Sequence, residues 1–247
     1  MPVRRDPADQ EEITTQLLFG ESFDIIGKDR QWVNIRIHHD QYEGWIDEKQ
    51  FILADLAFLE KSGQQSAYSL EIAQSAISKD NHIPVLLGST LPLFDGMNFR
   101  INKEKFIFNG QAYSPNLANH KDVVLEKIVY KYLNAPYLWG GRSPFGIDCS
   151  GFTQIAFRII GIALKRDTYQ QAEQGSVVNF IDDARPGDLA FFVNEAGKIA
   201  HVGIILKDRQ LIHAYGRVRI DTIDHYGIYN QQLKKYTHKL KIIKRVL

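Results

Sequence analysis

Apolar residues alternate with polar ones over much of the first part of the chain, which predicts short β-strands. Over residues 32–37 the alternation places Val33 and Ile35 on the same strand face. Comparable apolar runs, separated by polar turns, occur at residues 17–19, 23–26 and 42–47. Short strands at this spacing are typical of a small five-stranded barrel. We therefore predict such a barrel over residues 1–55.

Residues 56–117 mix strand-like runs with polar segments. The apolar runs lie at residues 85–88, 91–96 and 105–110. The polar stretch 61–65 predicts a break in regular structure, and residues 79–82 predict a turn or linker. We interpret this region as a second, degenerate barrel with a linker.

The pattern changes again from residue 118, where helical spacing comes first and strands follow. One apolar-periodic segment predicts a helix that ends before Pro136, and another predicts a helix that begins within one residue of Cys149 and stops at Gly161. Strands are expected at residues 189–193, 199–205, 210–215 and 239–247, the last of which closes the sheet. Residues 118–247 are thus predicted to form an α+β domain with helices packed on an antiparallel sheet.

Composition narrows the possible functions. The net charge of +1 gives no indication of a nucleic-acid partner, and a single cysteine cannot form an intrachain disulfide. No apolar run approaches the roughly 18 residues of a membrane span, and the first residues lack a signal-peptide core. We expect a cytoplasmic protein, or a periplasmic or cell-envelope one if a leader was removed. We expect no cofactor, and the oligomeric state stays open.

Cys149 is the candidate nucleophile. It follows a Gly- and Pro-rich loop and stands between Asp148 and Ser150, two residue types that cap helix N-termini. The positive end of a helix dipole favours the thiolate, which is the nucleophilic form. The alternative is a small buried residue packed under the helix. Two histidines in downstream strands, His201 and His213, favour the nucleophile.

His201 and His213 supply what a cysteine nucleophile needs. A base must take the thiol proton and return it to the leaving amine, and imidazole titrates near neutrality. A second group must orient that imidazole. We assign Cys149 as nucleophile, His201 as base and His213 as orienter.

This assignment requires both imidazoles on one face of the sheet. Pairing Ile205 with Leu211 leaves a five-residue loop and places His213 opposite Gly203, on the side of His201. We therefore predict this register.

Several motifs of residues 118–247 resemble those of the NlpC/P60 cysteine peptidases in order and spacing. They are Trp139-Gly140-Gly141, Asp148-Cys149-Ser150-Gly151-Phe152, Pro186-Gly187-Asp188-Leu189, His201-Val202-Gly203-Ile204 and Ile212-His213-Ala214. In the amino-terminal region, Gly44-Trp45-Ile46 resembles a bacterial SH3-like (SH3b) domain. The resemblance implies a papain-like catalytic domain preceded by one or two SH3-like barrels. It also implies cleavage of the γ-D-glutamyl–L-diamino acid bond in small free murein peptides with an unblocked N-terminal L-alanine, in cell-wall recycling or remodelling.

The resemblance also implies substrate-binding residues. Tyr137 matches an oxyanion or substrate contact, Asp148 and Ser150 match the pocket for the substrate amine and backbone, and Arg166 matches a residue that holds a substrate carboxylate. Arg166 lies in the polar segment 163–171, which we expect at the surface near the site.

In the barrel, the resemblance implies that Tyr42 and Glu12 meet the free amine of L-alanine. Glu11 and Glu21 are competitors for the carboxylate role.

Other functions stay open at this point. The barrel could bind murein fragments while the α+β domain is inert, or the same core could act as an amidase or acyltransferase. A zinc site built from Cys149, His201 and His213 is disfavoured because no metal-typical spacing is present. The diamino acid is either meso-diaminopimelate or lysine.

Overall fold

The protein was studied as a computed structural model that describes residues 1–79, 81–116 and 120–247. Its chain divides into two compact units, Met1–Asn119 with Gly140–Pro144, and His120–Trp139 with Phe145–Leu247. The boundary predicted between residues 117 and 118 lies outside the described residues. None of the described helices is long and apolar enough to cross a membrane.

The first unit begins with a five-stranded antiparallel sheet. Its strands are β1 Pro2–Arg4, β2 Ile13–Gln16, β3 Phe23–Asp29, β4 Trp32–Ile37 and β5 Glu43–Asp47, in the order β2-β1-β5-β4-β3. Val3, Ile35 and Ile46 are fully buried in its core. The predicted separate strand at residues 17–19 is wrong, because Leu17 and Leu18 directly follow β2 and are buried, and Leu17 only extends the β1–β2 pairing through two backbone hydrogen bonds with Met1.

A short 3₁₀ helix, Glu48–Gln50, and the helix α1, Leu56–Gln64, follow this sheet. The break in regular structure predicted at residues 61–65 is therefore wrong for residues 61–64, which belong to α1. Lys61 is a good helix former with an exposed side chain, and the Ser62 hydroxyl donates to the carbonyl of Leu59 within the helix. A polar run can be the solvent-facing side of a helix as well as a loop.

Residues 66–113 form two small sheets around one core. Their strands are β6 Ser66–Ser69, β7 Ala73–Ile77, β8 His82–Leu86, β9 Thr90–Pro92, β10 Asn98–Ile101, β11 Glu104–Phe108 and β12 Ala112–Tyr113. One sheet has the order β10-β11-β7-β8 and the other β12-β6-β9. Phe99, Phe106 and Phe108 fill the shared core, and the first two rings stack. Its interpretation as a degenerate barrel stays a prediction.

The first unit also contains β13, Arg142–Ser143, whose arginine is fully buried. Arg142 binds the Glu21 carboxylate through both terminal nitrogens, at 2.8 and 2.9 Å. It also donates to the backbone carbonyl of Gln16 at 2.7 Å. The desolvation cost of burying this ion pair is offset by the bidentate contact and by the further hydrogen bond to the backbone.

The second unit contains three α-helices, α2 Lys121–Lys131, α3 Cys149–Ile159 and α4 Thr168–Gln171, and a short 3₁₀ helix, Ile181–Asp183. The helix predicted before Pro136 and the helix predicted at Cys149 are both confirmed. Gly161 has φ +81°, a left-handed conformation that suits glycine just after α3.

Strands of the second unit form an antiparallel sheet, apart from β14, Gly146–Ile147. They are β15 Ser176–Val178, β16 Leu189–Val193, β17 Ile199–Ile205, β18 Gln210–Tyr215, β19 Arg217–Ile223, β20 Gly227–Asn230 and β21 Lys235–Arg245. Their order is β15-β21-β16-β17-β18-β19-β20, and β20 also pairs with β21. Six strands therefore form a closed ring, and the prediction that the last strand closes the sheet is confirmed. Helices on an antiparallel sheet make this unit α+β.

Candidate active site

Cys149 is the first residue of α3, and the sequence around it explains why the helix begins there. Asp148 has an extended backbone, and its Oδ1 accepts a 2.6 Å hydrogen bond from the Gly151 N–H. This side-chain cap satisfies one of the amides that the first turn of a helix leaves unpaired. Cys149 is buried, and its Sγ lies 3.9 Å from the Thr168 hydroxyl.

The predicted thiolate preference of Cys149 is wrong for this buried state. Burial raises the pKa of the thiol to about 11, and the Asp148 carboxylate acts in the same direction. Thr168, the backbone N–H of Val202 and Arg166 lower the pKa by less. Desolvation of the charge outweighs these three groups, so the sulfur needs a base to lose its proton.

His201 and His213 are in direct contact. The Nε2 of His201 lies 2.8 Å from the Nδ1 of His213, and the rings meet edge to face. On the far side, the Nε2 of His213 lies 3.0 Å from the Oδ2 of Asp221. Because Val202 contacts the Cys149 sulfur and follows His201 in β17, the nucleophile and this chain of polar groups share one site.

The predicted strand register is confirmed. In the β17–β18 pair, Ile205 lies opposite Leu211 and Gly203 opposite His213. Five residues, 206–210, separate the paired Ile205 and Leu211, as predicted, and the last of them, Gln210, is already the first residue of β18. Both imidazoles consequently project from one face of the sheet.

Burial lowers the pKa of both histidines. For His201 the effect is large, and the neighbouring His213 and His238 lower its pKa further. For His213 burial dominates, and the hydrogen bond to Asp221 offsets only part of it. Both rings are therefore neutral near pH 7, which is the form a general base requires.

Arg166, Asp148 and Ser150 form a buried cluster beside the nucleophile. The predicted surface position of Arg166 is wrong, since only 2% of the residue is exposed. Its two terminal nitrogens donate to the Asp148 oxygens at 3.2 and 2.5 Å, and one of them also donates to the Ser150 hydroxyl at 2.8 Å. A buried guanidinium needs such partners, and the cluster in turn fixes the cap at the start of α3.

Tyr137 lies close enough to this cluster for the charges there to affect the pKa of its hydroxyl. Burial raises the pKa of its hydroxyl to about 12, and the Asp148 carboxylate, together with Cys149 whenever it is deprotonated, acts in the same direction. The hydroxyl therefore stays protonated and can donate a hydrogen bond near the sulfur.

The predicted barrel residues, Tyr42 and Glu12, belong to the first unit. Tyr42 packs against the barrel core, and its N–H donates to Asp40 at 3.0 Å. Glu12 forms an ion pair with Arg5. The competing Glu21 is the partner of Arg142, as described above. The contact of Tyr42 and Glu12 with a substrate amine stays a prediction.

Comparison with known proteins identifies the family. A protein-family model described as "NlpC/P60 family" matches residues 134–239, and one described as "Bacterial dipeptidyl-peptidase Sh3 domain" matches residues 3–51. A γ-D-glutamyl-L-lysine dipeptidyl-peptidase of Bacillus subtilis is 30% identical over 218 residues, which cover 82% of this chain and 72% of the relative. This chain belongs to the NlpC/P60 family of cysteine peptidases.

Other NlpC/P60 relatives extend the comparison. A γ-D-glutamyl-L-lysine dipeptidyl-peptidase of Bacillus cereus is 28% identical over 231 residues, covering 82% of this chain and 67% of the relative. A crystal structure of an NlpC/P60 family protein from Bacillus cereus superposes with a TM-score of 0.80 at 24% identity, covering 95% of this chain and 82% of the other. That similarity shows a shared fold.

Sequence reasoning missed three groups of this NlpC/P60 site. They are Thr168 beside the sulfur, Asp221 beside His213, and His238, whose ring stacks on His201 with centroids 4.3 Å apart. Asp221 lies outside the strands predicted from the sequence, and the pairing of β18 with β19 is what brings it to His213. For Thr168 and His238 only the packing of distant segments reveals the contact.

Proposed function

We propose that this protein hydrolyses the γ-D-glutamyl–L-diamino acid bond of peptidoglycan peptides, with Cys149 as nucleophile, His201 as general base and His213 as orienter. The observation that carries the proposal is the arrangement of a buried cysteine at a helix N-terminus beside a strand whose histidine contacts a second histidine. A helix that presents cysteine against an antiparallel sheet that presents histidine also supports the papain-like assignment of the domain.

In the proposed reaction, the Cys149 thiol gives its proton to Nδ1 of His201, the ring nitrogen that does not face His213. The sulfur attacks the γ-carbonyl carbon and forms a tetrahedral intermediate. The C–N bond then breaks as His201 returns the proton to the leaving amine of the diamino acid. Water, deprotonated by His201, next attacks the thioester and releases the glutamyl product. Tyr137 and the first turn of α3 offer hydrogen-bond donors to the oxyanion.

We further propose that the substrates are small free peptides with an unblocked N-terminal L-alanine. Both Bacillus relatives are named dipeptidyl-peptidases, and an enzyme of that kind removes two residues from a free N-terminus. Their names also specify L-lysine, so lysine is our first choice for the diamino acid here. Recognition of the amine by Tyr42 and Glu12 remains part of the proposal, since an ammonium removed from water needs a polar or charged partner.

The test is mass spectrometry of products from L-Ala-γ-D-Glu-L-Lys and from the same peptide with meso-diaminopimelate. We expect release of L-Ala-D-Glu from the lysine peptide, and no release by Cys149→Ala. N-acetylation should sharply reduce cleavage, and Tyr42→Ala should narrow the difference between free and acetylated peptides. Equal cleavage rates on the free and the N-acetylated peptide would show that the free amine is not recognised. An active Cys149→Ala protein would contradict the proposed peptidase function.

A further inference from the structure

The histidine pair does not end the chain of polar contacts that begins at Cys149. Beyond His213 lies Asp221 on the neighbouring strand β19, and its carboxylate is buried. Arg219, two residues earlier in the same strand, donates from Nη2 to the Oδ1 of Asp221 at 2.9 Å. Oδ2 faces His213 at 3.0 Å and also lies 2.7 Å from the Arg219 Nε, although that Nε–H is not directed at it as a hydrogen bond. The carboxylate is thus held between a permanent cation and an imidazole.

When both imidazole rings are neutral, only one placement of hydrogens on the nitrogens of His201 and His213 satisfies all of these contacts. An ionised carboxylate only accepts, so the Nε2 of His213 must carry the hydrogen that faces Asp221. The Nδ1 of His213 then has a lone pair and accepts from the Nε2–H of His201. The Nδ1 of His201 also carries no hydrogen, and its lone pair is not used within the histidine pair, so it can accept a proton as a base must.

We propose that Asp221 is a positioning residue, anchored by Arg219, that sets the tautomer of His213 and through it the tautomer of His201. It touches neither the substrate nor the sulfur and acts through two rings. This role rests on the proposed peptidase reaction, since it explains how His201 is kept ready to accept the thiol proton. Burial raises the pKa of Asp221, but the hydrogen bonds from His213 and Arg219 outweigh it and the pKa is lowered.

Asp221→Asn is the decisive change because Arg219 controls which way the amide points. Only Nη2 of the guanidinium donates a hydrogen bond to this carboxylate, and it does so to Oδ1, so the amide oxygen takes the Oδ1 position and the amide NH₂ faces His213. His213 must then accept at Nε2 and carry its hydrogen on Nδ1, and His201 is forced to carry its hydrogen on Nδ1 as well. We expect kcat to fall by about 10²–10⁴ with little change in KM, the order found when a histidine base is locked in the wrong tautomer.

A second substitution separates this mechanism from loss of structure. With Arg219→Ala in the background, the amide introduced by Asp221→Asn is free to rotate and to present its oxygen to His213. The Asp221→Asn, Arg219→Ala protein should therefore be more active than Asp221→Asn alone. If Asp221 and Arg219 only maintained the structure, the losses of activity caused by the two substitutions would add as free energies. Asp188→Asn is the matched control, because Asp188 is also buried and held by an arginine, Arg245, at 2.7 and 2.8 Å.

Nitrogen-15 NMR of the histidine rings in the unmodified protein near pH 7.5 reads the tautomers directly. We expect hydrogen on Nε2 of both His201 and His213, and on Nδ1 of both in Asp221→Asn. Hydrogen on Nδ1 of His213 in the unmodified protein, or an Asp221→Asn enzyme with unchanged kcat, would overturn the inference. The NMR result on the unmodified protein needs neither a substrate nor a folded variant, so failure of the peptide assay alone would count against the proposed function only.

Discussion

Gly203 lies directly opposite His213 in the β17–β18 pair, and a Cβ built on Gly203 would lie 2.9 Å from the Cβ of His213. Real Cβ atoms are not found at that separation, so glycine is what lets the two histidine-bearing strands approach as they do. The space between the two imidazoles therefore depends on a residue that has no side chain.

Gly203→Ala should consequently displace His213 or Leu211 and break the 2.8 Å contact between the imidazoles. We expect a fall in kcat of about tenfold or more, since small misplacements of catalytic groups have large effects. Circular dichroism should show a folded protein. Gly63→Ala is the control, because a Cβ there meets nothing within 4 Å and activity should not change. Full activity of Gly203→Ala would show that catalysis does not require the close distance between β17 and β18 at this position.

Alkylation of Cys149 should follow its raised pKa of about 11. Iodoacetamide reacts with thiolate, so the rate should be slow at pH 7 and should keep rising with pH beyond the ordinary thiol value of about 8.5. Mass spectrometry should find one adduct, because Cys149 is the only cysteine, and none on Cys149→Ala. A rate that levels off below pH 7 would mean that the thiolate is stabilised in a way the burial argument omits.

Removal of one partner of the buried Arg142–Glu21 pair should be costly. Arg142→Met leaves the Glu21 carboxylate buried without its main cation, which costs roughly 3–5 kcal/mol of unfolding free energy. The double change Arg142→Met, Glu21→Leu should recover much of that loss.

Urea denaturation followed by tryptophan fluorescence measures this effect. Arg5→Met is the control, because its ion pair with Glu12 is partly exposed and is worth at most about 1 kcal/mol. Equal effects of Arg142→Met and Arg5→Met would show that burial does not decide the strength of these pairs.

Thermal stability of the second unit should fall on acidification below about pH 6.5. The pKa values of His201, His213 and His238 are lowered by burial, to about 4 for His238. Between the folded and unfolded pKa values the unfolded chain binds more protons, so stability is full above the unfolded value and declines as pH falls. His238→Gln should flatten the dependence of Tm on pH between about 6.5 and about 4. The exposed His225 provides the control His225→Gln, and an equal effect of the two changes would contradict the burial argument.

Sequence reasoning succeeded where a local rule determines the outcome. The helix at Cys149 follows from its apolar period and the Asp148 cap, and the register of His201 and His213 follows from strand parity. It failed where long-range packing decides. Burial of Cys149 and Arg166 depends on segments far away in the chain, and the polar composition of residues 61–64 does not reveal that they continue helix α1. Asp221 requires the β18–β19 register, which the alternation alone does not determine.

The closed ring of the second unit also bears on how this protein behaves in concentrated solution. An open sheet ends in strands whose N–H and C=O groups can pair with another molecule. Because β20 pairs with β21 as well as with β19, neither end of the ring offers such a row, and in this sheet it is the three-residue β15 that keeps an unpaired side. A strand that short is a poor template, so the sheet that holds the histidines together offers little edge for self-association through strand pairing, unlike the open sheet of the first unit, which ends in the seven-residue β3.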